Sequence, residues 1–249
     1  MFITLLGFMN GLNDMLDGLI LNRTPHIKLY NELKPSPVQP VQLAEGYKGY
    51  YHFIRSVKPY GRRLEIYNID PIMTSIEKDD RVLVLAPKIA AQVFYNVGAI
   101  DVTGVINGVD VEAENRLFFF STYVTEGNYI DLKNIPNSII LGKSAADKML
   151  AKIGDVIQVT TARGDRQQLK VVGYFQSGLA DIDKINSYTS ISTAQKLLGE
   201  PRTYITDIQV KLKDMEIAPS MAREYRQRYE VDAEDIQTAN AQFETRSSV

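Results

Sequence analysis

Residues 187–212 read SYTSISTAQKLLGEPRTYITDIQVKL and predict a strand, a helix and a second strand in close succession. The first five residues alternate between polar and apolar side chains, as a strand with one buried face does. Ser192 and Gln195 form a capping-box pattern that predicts the start of a helix, and Gly199 predicts its end. A strand from Ile205 to Leu212 follows. This stretch therefore predicts a fold that mixes helices with a sheet.

The residues that follow continue the same order of elements. Pro219 is typical of a helix start, and Met221, Tyr225 and Tyr229 recur at four-residue spacing on one helix face. A short strand is predicted near Val231. The last third of the chain thus predicts a β-α-β-α-β order.

The first third predicts a related pattern. A strand is expected from His26 to Tyr30, and the proline-rich segment from Asn31 to Arg63 is expected to be an extended connection. Asp70 as a helix cap and Pro71 as the first helical residue then predict a helix, and a strand follows from Val82 to Leu85. This order is that of a β-α-β crossover unit.

The middle third is richer in strands. Glycine residues separate short β-like runs, which are Ala90–Tyr95, Ile100–Ile106 and Arg116–Phe120. One helix is predicted from Lys143 to Lys152. The strands Val156–Thr161 and Gln168–Phe175 then form a hairpin through a short turn.

These patterns predict the α+β class, with one lobe inserted into another. Residues 22–87 and 186–249 would form a discontinuous α/β lobe built from βαβ units, and residues 88–185 an inserted β-rich lobe. Apolar residues with a 3.6-residue period predict an amphipathic helix from Phe2 to Leu21. The division therefore has three parts, with residues 1–21 as a separate helix.

The composition excludes several classes of protein. Hydrophobic residues make up 45% of the 249 residues and charged residues 23%, which is typical of a folded globular chain. The formal net charge of −2 and the scattered basic residues argue against nucleic acid as a partner. The sequence contains no cysteine and no run of about 18 apolar residues that could span a bilayer.

No motif in the sequence predicts catalysis, a cofactor or a metal ion. Gly142-Lys143-Ser144 matches the end of a phosphate-binding loop, but Asn137 stands where that loop needs its first glycine. The two histidines, His26 and His52, lack a partner at a metal-ligand spacing, and no serine lies in a Gly-x-Ser-x-Gly motif. We therefore predict that the protein is not an enzyme, with no catalytic, cofactor-binding or metal-binding residues.

Two further patterns have a structural and a functional interpretation. Neighbouring acids could bind a cation or do acid/base work, but their flanking turns favour solvated surface charge; they are Asp79-Asp80, Asp181 with Asp183, and Glu234-Asp235. Arg163-Gly164-Asp165 matches an adhesion tripeptide, yet glycine and aspartate are also what a tight turn requires.

Several stretches resemble the lipoprotein-releasing family of ABC transporter permeases. Gly7-Phe8-Met9-Asn10-Gly11 and the residues from Leu21 to Ile27 are similar to the segment after the first transmembrane helix in that family. Other similar stretches follow in the family's order, namely Val105–Glu114, Ser138–Asp155, Val171–Phe175 and Asp183–Leu198.

This resemblance implies a periplasmic domain shared with macrolide-efflux-type permeases, with the α/β lobe nearest the membrane. It implies that transmembrane helices precede Phe2 and follow Val249, and that the parent lies in the inner membrane with this domain facing the periplasm. The implied partners are a cytoplasmic ATP-binding subunit, a second permease copy or paralogue, and a lipoprotein or other envelope substrate. The implied function is to couple ATP-driven motion to the release of that substrate.

One departure from the family concerns a partner contact. The family member that recruits a periplasmic lipoprotein carrier uses a long hairpin arm, where this chain has only a short turn. The turn consists of Ala162, Arg163, Gly164, Asp165 and Arg166, and we take it as a candidate partner-contact hairpin. Other hydrophobic or peptide cargo and regulation of a cell-wall enzyme remain alternative functions of a related permease. A free-standing binding protein or hydrolase is a third hypothesis.

Overall fold

The computed structural model describes residues 24–32, 46, 64–97 and 100–235. Within them, ten strands form one sheet: β1 Ile27–Tyr30, β2 Val82–Val97, β3 Ile100–Val109, β4 Val124–Gly127, β5 Ser138–Gly142, β6 Val156–Thr161, β7 Arg166–Phe175, β8 Asn186–Ser190, β9 Asp207–Leu212 and β10 Asp232–Asp235. Seven α-helices accompany them: α1 Ile69–Glu77, α2 Val111–Phe118, α3 Asp131–Asn134, α4 Lys143–Met149, α5 Ala180–Ile185, α6 Ile191–Leu198 and α7 Ala218–Tyr229. A 3-10 turn covers Phe120–Tyr123. The predicted α+β class is confirmed.

One part of the sheet has the split βαβ arrangement of ferredoxin-like folds. Its strand order is β10-β1-β9-β2, and each neighbouring pair is antiparallel. The predicted crossover from β1 through α1 to β2 therefore joins two parallel strands that are separated by β9. In the same way, α7 joins β9 to β10 across β1.

Helices α1 and α7 cover one face of this antiparallel part. Both helices bury an apolar stripe against the strands, which is why their sequences carry the helical period. Tyr225 is fully buried there, and the Tyr229 hydroxyl donates to Ser75 Oγ at 2.9 Å, which joins α7 to α1. The apolar residues Ile72, Met73 and Ile76 are predicted to face inward, and Ile72 and Ile76 are buried while Met73 is partly buried.

Strand β2 and five of the remaining strands close into a six-membered ring, and β4 pairs with β7 outside it. Strand β2 pairs with β3, β3 with β8, β8 with β5, β5 with β7, β7 with β6, and β6 returns to β2. Alternate side chains from these strands fill one core that includes Val93, Tyr95, Ile139, Val159 and Leu169. This part of the molecule is a small closed barrel with a packed interior.

Strand β2 belongs to both parts of the structure. Its first half pairs with β9, and its second half pairs with β3 and β6. Leu85 and Ile89 join the core under α1 and α7, whereas Val93 and Tyr95 point into the barrel. Because these residues are all on one face of the strand, the two cores follow one another along a single sixteen-residue element.

Most predicted elements are present, with corrections at their ends. Helix α1 begins at Ile69 after Asn68, so Asp70 is not its cap. Helix α6 is capped by Ser190, whose side chain accepts from the Thr193 N–H, so Ser192 is not the cap. Gly199 ends α6 as predicted, with a positive φ of 66°.

Two segments differ in kind from their prediction. Arg116–Phe120 is the end of α2 and the start of the 3-10 turn, so the predicted strand is wrong. Leu117 and Phe120 are buried whereas Phe119 is exposed, a helical pattern that a run of phenylalanines obscures. The segment 176–185, for which the sequence predicts neither a helix nor a strand, contains α5. The Phe2–Leu21 helix and most of the 31–63 connection lie outside the described residues, and the three-part division remains a prediction.

Candidate functional site

The predicted partner-contact turn is a tight hairpin between β6 and β7. Gly164 has a φ of 94°, which favours glycine, and its N–H donates to the Thr161 carbonyl at 2.9 Å. The Asp165 N–H donates to Thr161 Oγ1 at 3.1 Å, so local hydrogen bonds fix the turn. The turn geometry therefore explains Gly164 and Asp165, the two residues of Arg163-Gly164-Asp165 that a tight turn requires.

All five residues of the turn are exposed and adjacent. Arg163 Nη1 lies 2.7 Å from Glu200 Oε1, so one of the two arginines already has an acidic neighbour within the chain. The structure thus gathers the predicted contact residues on one surface but shows no partner for them. Their role in docking stays a prediction.

The Gly142-Lys143-Ser144 motif has a structural explanation. A side chain at position 142 would collide with the backbone carbonyl of Asp183, so glycine allows α5 to approach β5. Lys143 Nζ lies 3.0 Å from Glu126 Oε1 and 4.3 Å from the Tyr174 ring centroid. These contacts fix the lysine against the surface of the barrel.

His26 is buried beside β9 and has a hydrogen-bond partner. Its Nδ1 accepts from the Leu212 N–H at 3.2 Å. Burial, and secondarily the charge of Lys211, lowers the pKa of His26 below its ordinary value, so the neutral ring is favoured. No group of three or more potential metal ligands occurs in the part of the chain that the structure describes. His52 lies outside that part.

A cavity of about 470 Å³ lies where α2 crosses from the antiparallel part of the sheet toward the barrel. Its volume falls within the range of about 300–1,000 Å³ that small-molecule sites occupy. Apolar side chains provide most of its surface. It is lined by Thr24, Pro25, Lys88, Glu114, Phe118, Phe120, Tyr123, Phe175, Ser177, Leu179, Ile182, Tyr188 and Gln209.

A cluster of aromatic rings forms one wall of the cavity. The ring centroids of Phe120 and Tyr188 are 4.7 Å apart, and those of Phe175 and Tyr188 are 4.8 Å apart. Tyr123 extends the cluster at 6.0 Å from Phe175. Offset and tilted rings at these distances attract one another and resist rearrangement, so this wall is pre-formed.

The rim of the cavity is a loop held by a buried carboxylate. Asp183 Oδ1 accepts from the Ser177 N–H at 2.8 Å and from Ser177 Oγ at 2.7 Å. These bonds hold the loop between β7 and α5, which places Leu179 and Ile182 at the cavity with their side chains partly exposed. The rim is therefore apolar and anchored by a polar contact beneath it.

Helix α2 brings a carboxyl group to the cavity. Asp110 caps the helix by accepting from the Glu112 and Ala113 N–H groups, each at 3.0 Å. Glu114, one turn into the helix, is only 4% exposed, and its Oε2 has no hydrogen-bond partner among the residues that the structure describes. Burial raises the pKa of Glu114 above its ordinary value, and the charge of Lys88 opposes that rise.

A second acceptor without a partner lines the same cavity. Gln209 on β9 is 8% exposed, and the described part of the chain offers its Oε1 no hydrogen-bond partner either. Lys88 on β2 lines the cavity as well, yet the described ion pairs do not join it to Glu114. Buried polar atoms in native proteins nearly always have partners, so two such acceptors at one cavity are unusual.

The comparisons with known proteins assign the family. The family model described as the MacB-like periplasmic core domain matches residues 1–228. The chain belongs to this family. The recognition of a periplasmic permease domain is thereby confirmed, while the lipoprotein-releasing subtype stays a prediction.

Solved structures of MacB-like domains share the fold. The periplasmic region of MacB from Actinobacillus actinomycetemcomitans is 14% identical, with a TM-score of 0.53, over 88% of this chain and 92% of that one. The extracellular domain of the noncanonic ABC-type transporter YknZ from Gram-positive bacteria is 13% identical, with a TM-score of 0.53, over 84% of this chain and 99% of that one. No curated protein matches the chain.

Family membership bears on the predicted absence of catalysis. MacB-like periplasmic core domains are components of transporters, so the prediction that the chain is not an enzyme is confirmed. None of the helices in the described ranges has the length and apolar character needed to cross a membrane. Membership of the MacB-like periplasmic core domain family makes the chain an extracytoplasmic domain of a membrane transporter.

Sequence reasoning did not single out Glu114 or Gln209. A usable signal is present at α2, because Val111, Glu114 and Leu117 recur every third residue after the Asp110 cap. That spacing places a carboxyl group on the apolar face of a helix. For Gln209, strand alternation places it on the face of β9 opposite Ile208 and Val210, but nothing in the sequence says that α2 covers that face.

Proposed function

We propose that this MacB-like domain couples ATP-driven motion of a separate cytoplasmic subunit to the handling or release of a lipoprotein-like substrate. The site of action would be the periplasmic face of the inner membrane. The family match supports the transporter context, and the resemblance of Val105–Glu114 and Ser138–Asp155 to lipoprotein-releasing permeases favours this cargo.

The observation that carries the proposal is the position at which the chain enters and leaves the sheet. Ile27 at the start of β1 pairs with Asp235 at the end of β10. The two strands are antiparallel neighbours, so the preceding and following segments attach at adjacent points of one edge. Membrane helices attached to both segments would therefore move this edge as a unit.

Strand β2 provides the connection from that edge toward the barrel. It contributes to the apolar core beside β9 and also to the barrel interior. A close-packed core transmits a displacement with little internal deformation. We infer that the α/β lobe of residues 22–87 and 186–249 receives the motion and that the β-rich lobe of residues 88–185 presents the moving surface.

The proposed partners follow from this arrangement. A cytoplasmic ATP-binding subunit would act through the membrane helices of the parent, and a second permease copy or paralogue would face this domain across the transporter. No nucleotide would bind here, because Gly142 and Lys143 serve the packing of β5, α4 and α5.

The test is to purify the full-length parent with its ATP-binding subunit and to identify bound material by mass spectrometry. We expect a co-purified acylated protein that is released on addition of ATP. A complex with a hydrolysis-deficient ATP-binding subunit is the matched control and should retain the cargo. Non-acylated peptides would support the alternative cargo, and release by the deficient complex would refute the coupling.

A further inference from the structure

We propose that the cavity beside α2 binds a small amphiphile consisting of an apolar body and a primary ammonium group. The apolar body would contact the aromatic wall of Phe120, Phe175 and Tyr188, and the ammonium group would donate to Glu114. This inference is independent of the proposed cargo, because it concerns a site within the described residues and not the transport step.

The chemistry of the two acceptors selects the head group. Glu114 and Gln209 both line the cavity, and within the described residues Glu114 Oε2 and Gln209 Oε1 have no hydrogen-bond partner. Alcohols and carboxylates are poor matches, because an alcohol has a single O–H donor and a carboxylate has none. A primary ammonium group has three N–H donors and carries the charge that a buried carboxylate needs.

The surroundings of Glu114 support a cationic ligand. Burial raises the pKa of this carboxyl group, so its protein surroundings disfavour the charged form. A cation placed against it would reverse that effect. Lys88 lines the same cavity, but its ammonium group is not within ion-pair distance of Glu114 among the described pairs. The described ion pairs therefore give Glu114 no directly paired cation, and an external ammonium group would supply one.

The remaining lining selects the body of the ligand. Phe118, Leu179 and Ile182 add apolar surface opposite the aromatic wall. A chain of methylene groups gains from burial there, since each contributes about 0.8 kcal/mol on transfer from water. An unbranched alkyl chain and a single aromatic ring both meet this description, whereas a polymeric or strongly polar ligand does not.

The test uses three ligands that differ only in their head group. Isothermal titration calorimetry at pH 7 compares n-octylamine, n-octanol and n-octanoate with the 249-residue chain. We expect the amine to bind at least about tenfold more tightly than the alcohol, because hydrogen bonds to charged groups are the strong ones. Octanoate should bind most weakly.

Variants on one helix separate the cavity from surface charge. Glu114→Gln keeps the shape and removes the charge, so the amine should bind about as weakly as the alcohol. Glu112→Gln is the matched control, because Glu112 is exposed on the same helix and pairs with Lys133 at 2.6 Å. It should leave all three affinities unchanged. Melting curves should show that both variants fold.

Two more variants test the alternatives. Lys88→Met should tighten amine binding a few-fold by removing a like charge, and Ile182→Trp should weaken all three ligands by filling the cavity. Amine binding that survives Glu114→Gln would overturn the proposal. So would tight octanoate binding that Lys88→Met abolishes, because the cavity would then be an anion site. Insensitivity to Ile182→Trp would show that the ligands bind elsewhere.

Discussion

His26 and Glu114 are both buried titratable side chains, and their surroundings differ in one respect. His26, at the antiparallel part of the sheet, accepts a hydrogen bond from the Leu212 N–H, and its lowered pKa favours the neutral form that makes this bond. Glu114, at the cavity, has one oxygen that accepts no hydrogen bond from any described residue. Within the described residues, the buried ring of His26 therefore has its hydrogen bond, whereas the buried carboxyl group of Glu114 lacks one.

We interpret His26, whose hydrogen bond is made, as a structural residue, and Glu114, whose oxygen lacks one, as a functional residue beside the same sheet. A buried acceptor without a partner costs free energy, so a chain selected for stability alone would replace it. Glu114 also lies where the barrel, α2 and the rim loop meet, while His26 lies beside a tightly packed core. The regions should therefore respond in opposite directions when their buried groups are changed.

The largest expected effect tests whether the two cores are equally well packed. Leu29→Ala in the core under α7 and Ile139→Ala in the barrel each remove a fully buried side chain. Each should lower the free energy of unfolding by about 2–5 kcal/mol, measured by urea denaturation. Because β2 contributes to both cores, each variant should still unfold in a single transition.

Unfolding in more than one transition would change the comparison between the two cores. Two separate transitions, with Leu29→Ala affecting only one and Ile139→Ala only the other, would show that the cores unfold independently. Strand β2 would then be a hinge and could not carry motion as a rigid element. Fluorescence and far-UV circular dichroism recorded on the same samples would detect such a separation.

The next effect has the opposite sign. Glu114→Met replaces the buried carboxyl group by an apolar side chain of similar size, and it should raise the free energy of unfolding at pH 7 by about 1–3 kcal/mol. Lys88→Met in the wild-type background should not stabilise in the same way, because Lys88 is partly exposed. A destabilised Glu114→Met variant would mean that the carboxyl group has a structural partner.

The pH dependence of this gain has a definite sign. The pKa of Glu114 is raised in the folded protein above its ordinary value of 4.5, so the folded state binds the proton more readily than the unfolded state. The wild-type protein therefore carries the full penalty above the raised pKa and loses its ionic part on acidification. The advantage of Glu114→Met should shrink as the pH falls toward about 4.5.

Some features of the fold could be predicted from the sequence and others could not. The hairpin of β6 and β7, the start of α7 at its proline and the end of α6 at Gly199 were predictable, because turns and helix ends depend on local residues. The family was predictable from stretches spread along the chain. The ring of strands was not, since β6 pairs with β2 across some sixty residues that carry no local signal.

The cavity could not be predicted from the sequence, because a segment beside it was predicted to be a strand and is not one. Arg116–Phe120 contains three consecutive phenylalanines, which have strand propensity, and it was predicted to be a strand. The capped helix that begins after Asp110 overrides this propensity because Leu117 packs on the sheet and Phe120 packs in the aromatic wall. Once the segment is a helix, Glu114 falls on its buried face, which strand periodicity could not indicate.

A smaller effect is expected at His26, and it tests whether the neutral ring that accepts from the Leu212 N–H contributes to stability. His26→Asn retains an acceptor for the Leu212 N–H but does not titrate near neutrality. The lowered pKa means that the folded wild-type protein holds its proton less tightly than the unfolded chain, so wild-type stability is full above about pH 6.5 and falls with acidification. Acidification through the lowered pKa should therefore destabilise the wild-type protein, because burial, the larger cause of the shift, opposes the charged ring.

The measurement is urea denaturation at pH 7.5 and at pH 5 for both proteins. The wild-type protein should lose stability between these values, and His26→Asn should lose less. Equal losses in the two proteins would show that other groups cause the acid sensitivity. Lys211 faces His26 and remains charged throughout this range, so it is not the group that changes.

The smallest effect is expected at the exposed turn. Arg163 pairs with Glu200 at 2.7 Å, but its side chain is 65% exposed, and ion pairs of this kind contribute little. The double change Arg163→Ala and Arg166→Ala should therefore alter the free energy of unfolding by less than about 0.5 kcal/mol. A five-residue turn also cannot supply the area of about 800 Å² per partner that stable interfaces use. The domain should accordingly show little affinity for a periplasmic lipoprotein carrier, measured by surface plasmon resonance, and the double variant should not change that affinity.

Low-micromolar binding by the wild-type domain that the double variant abolishes would make this turn a working docking site. Charged residues at the rim of an interface otherwise influence encounter rates more than affinity.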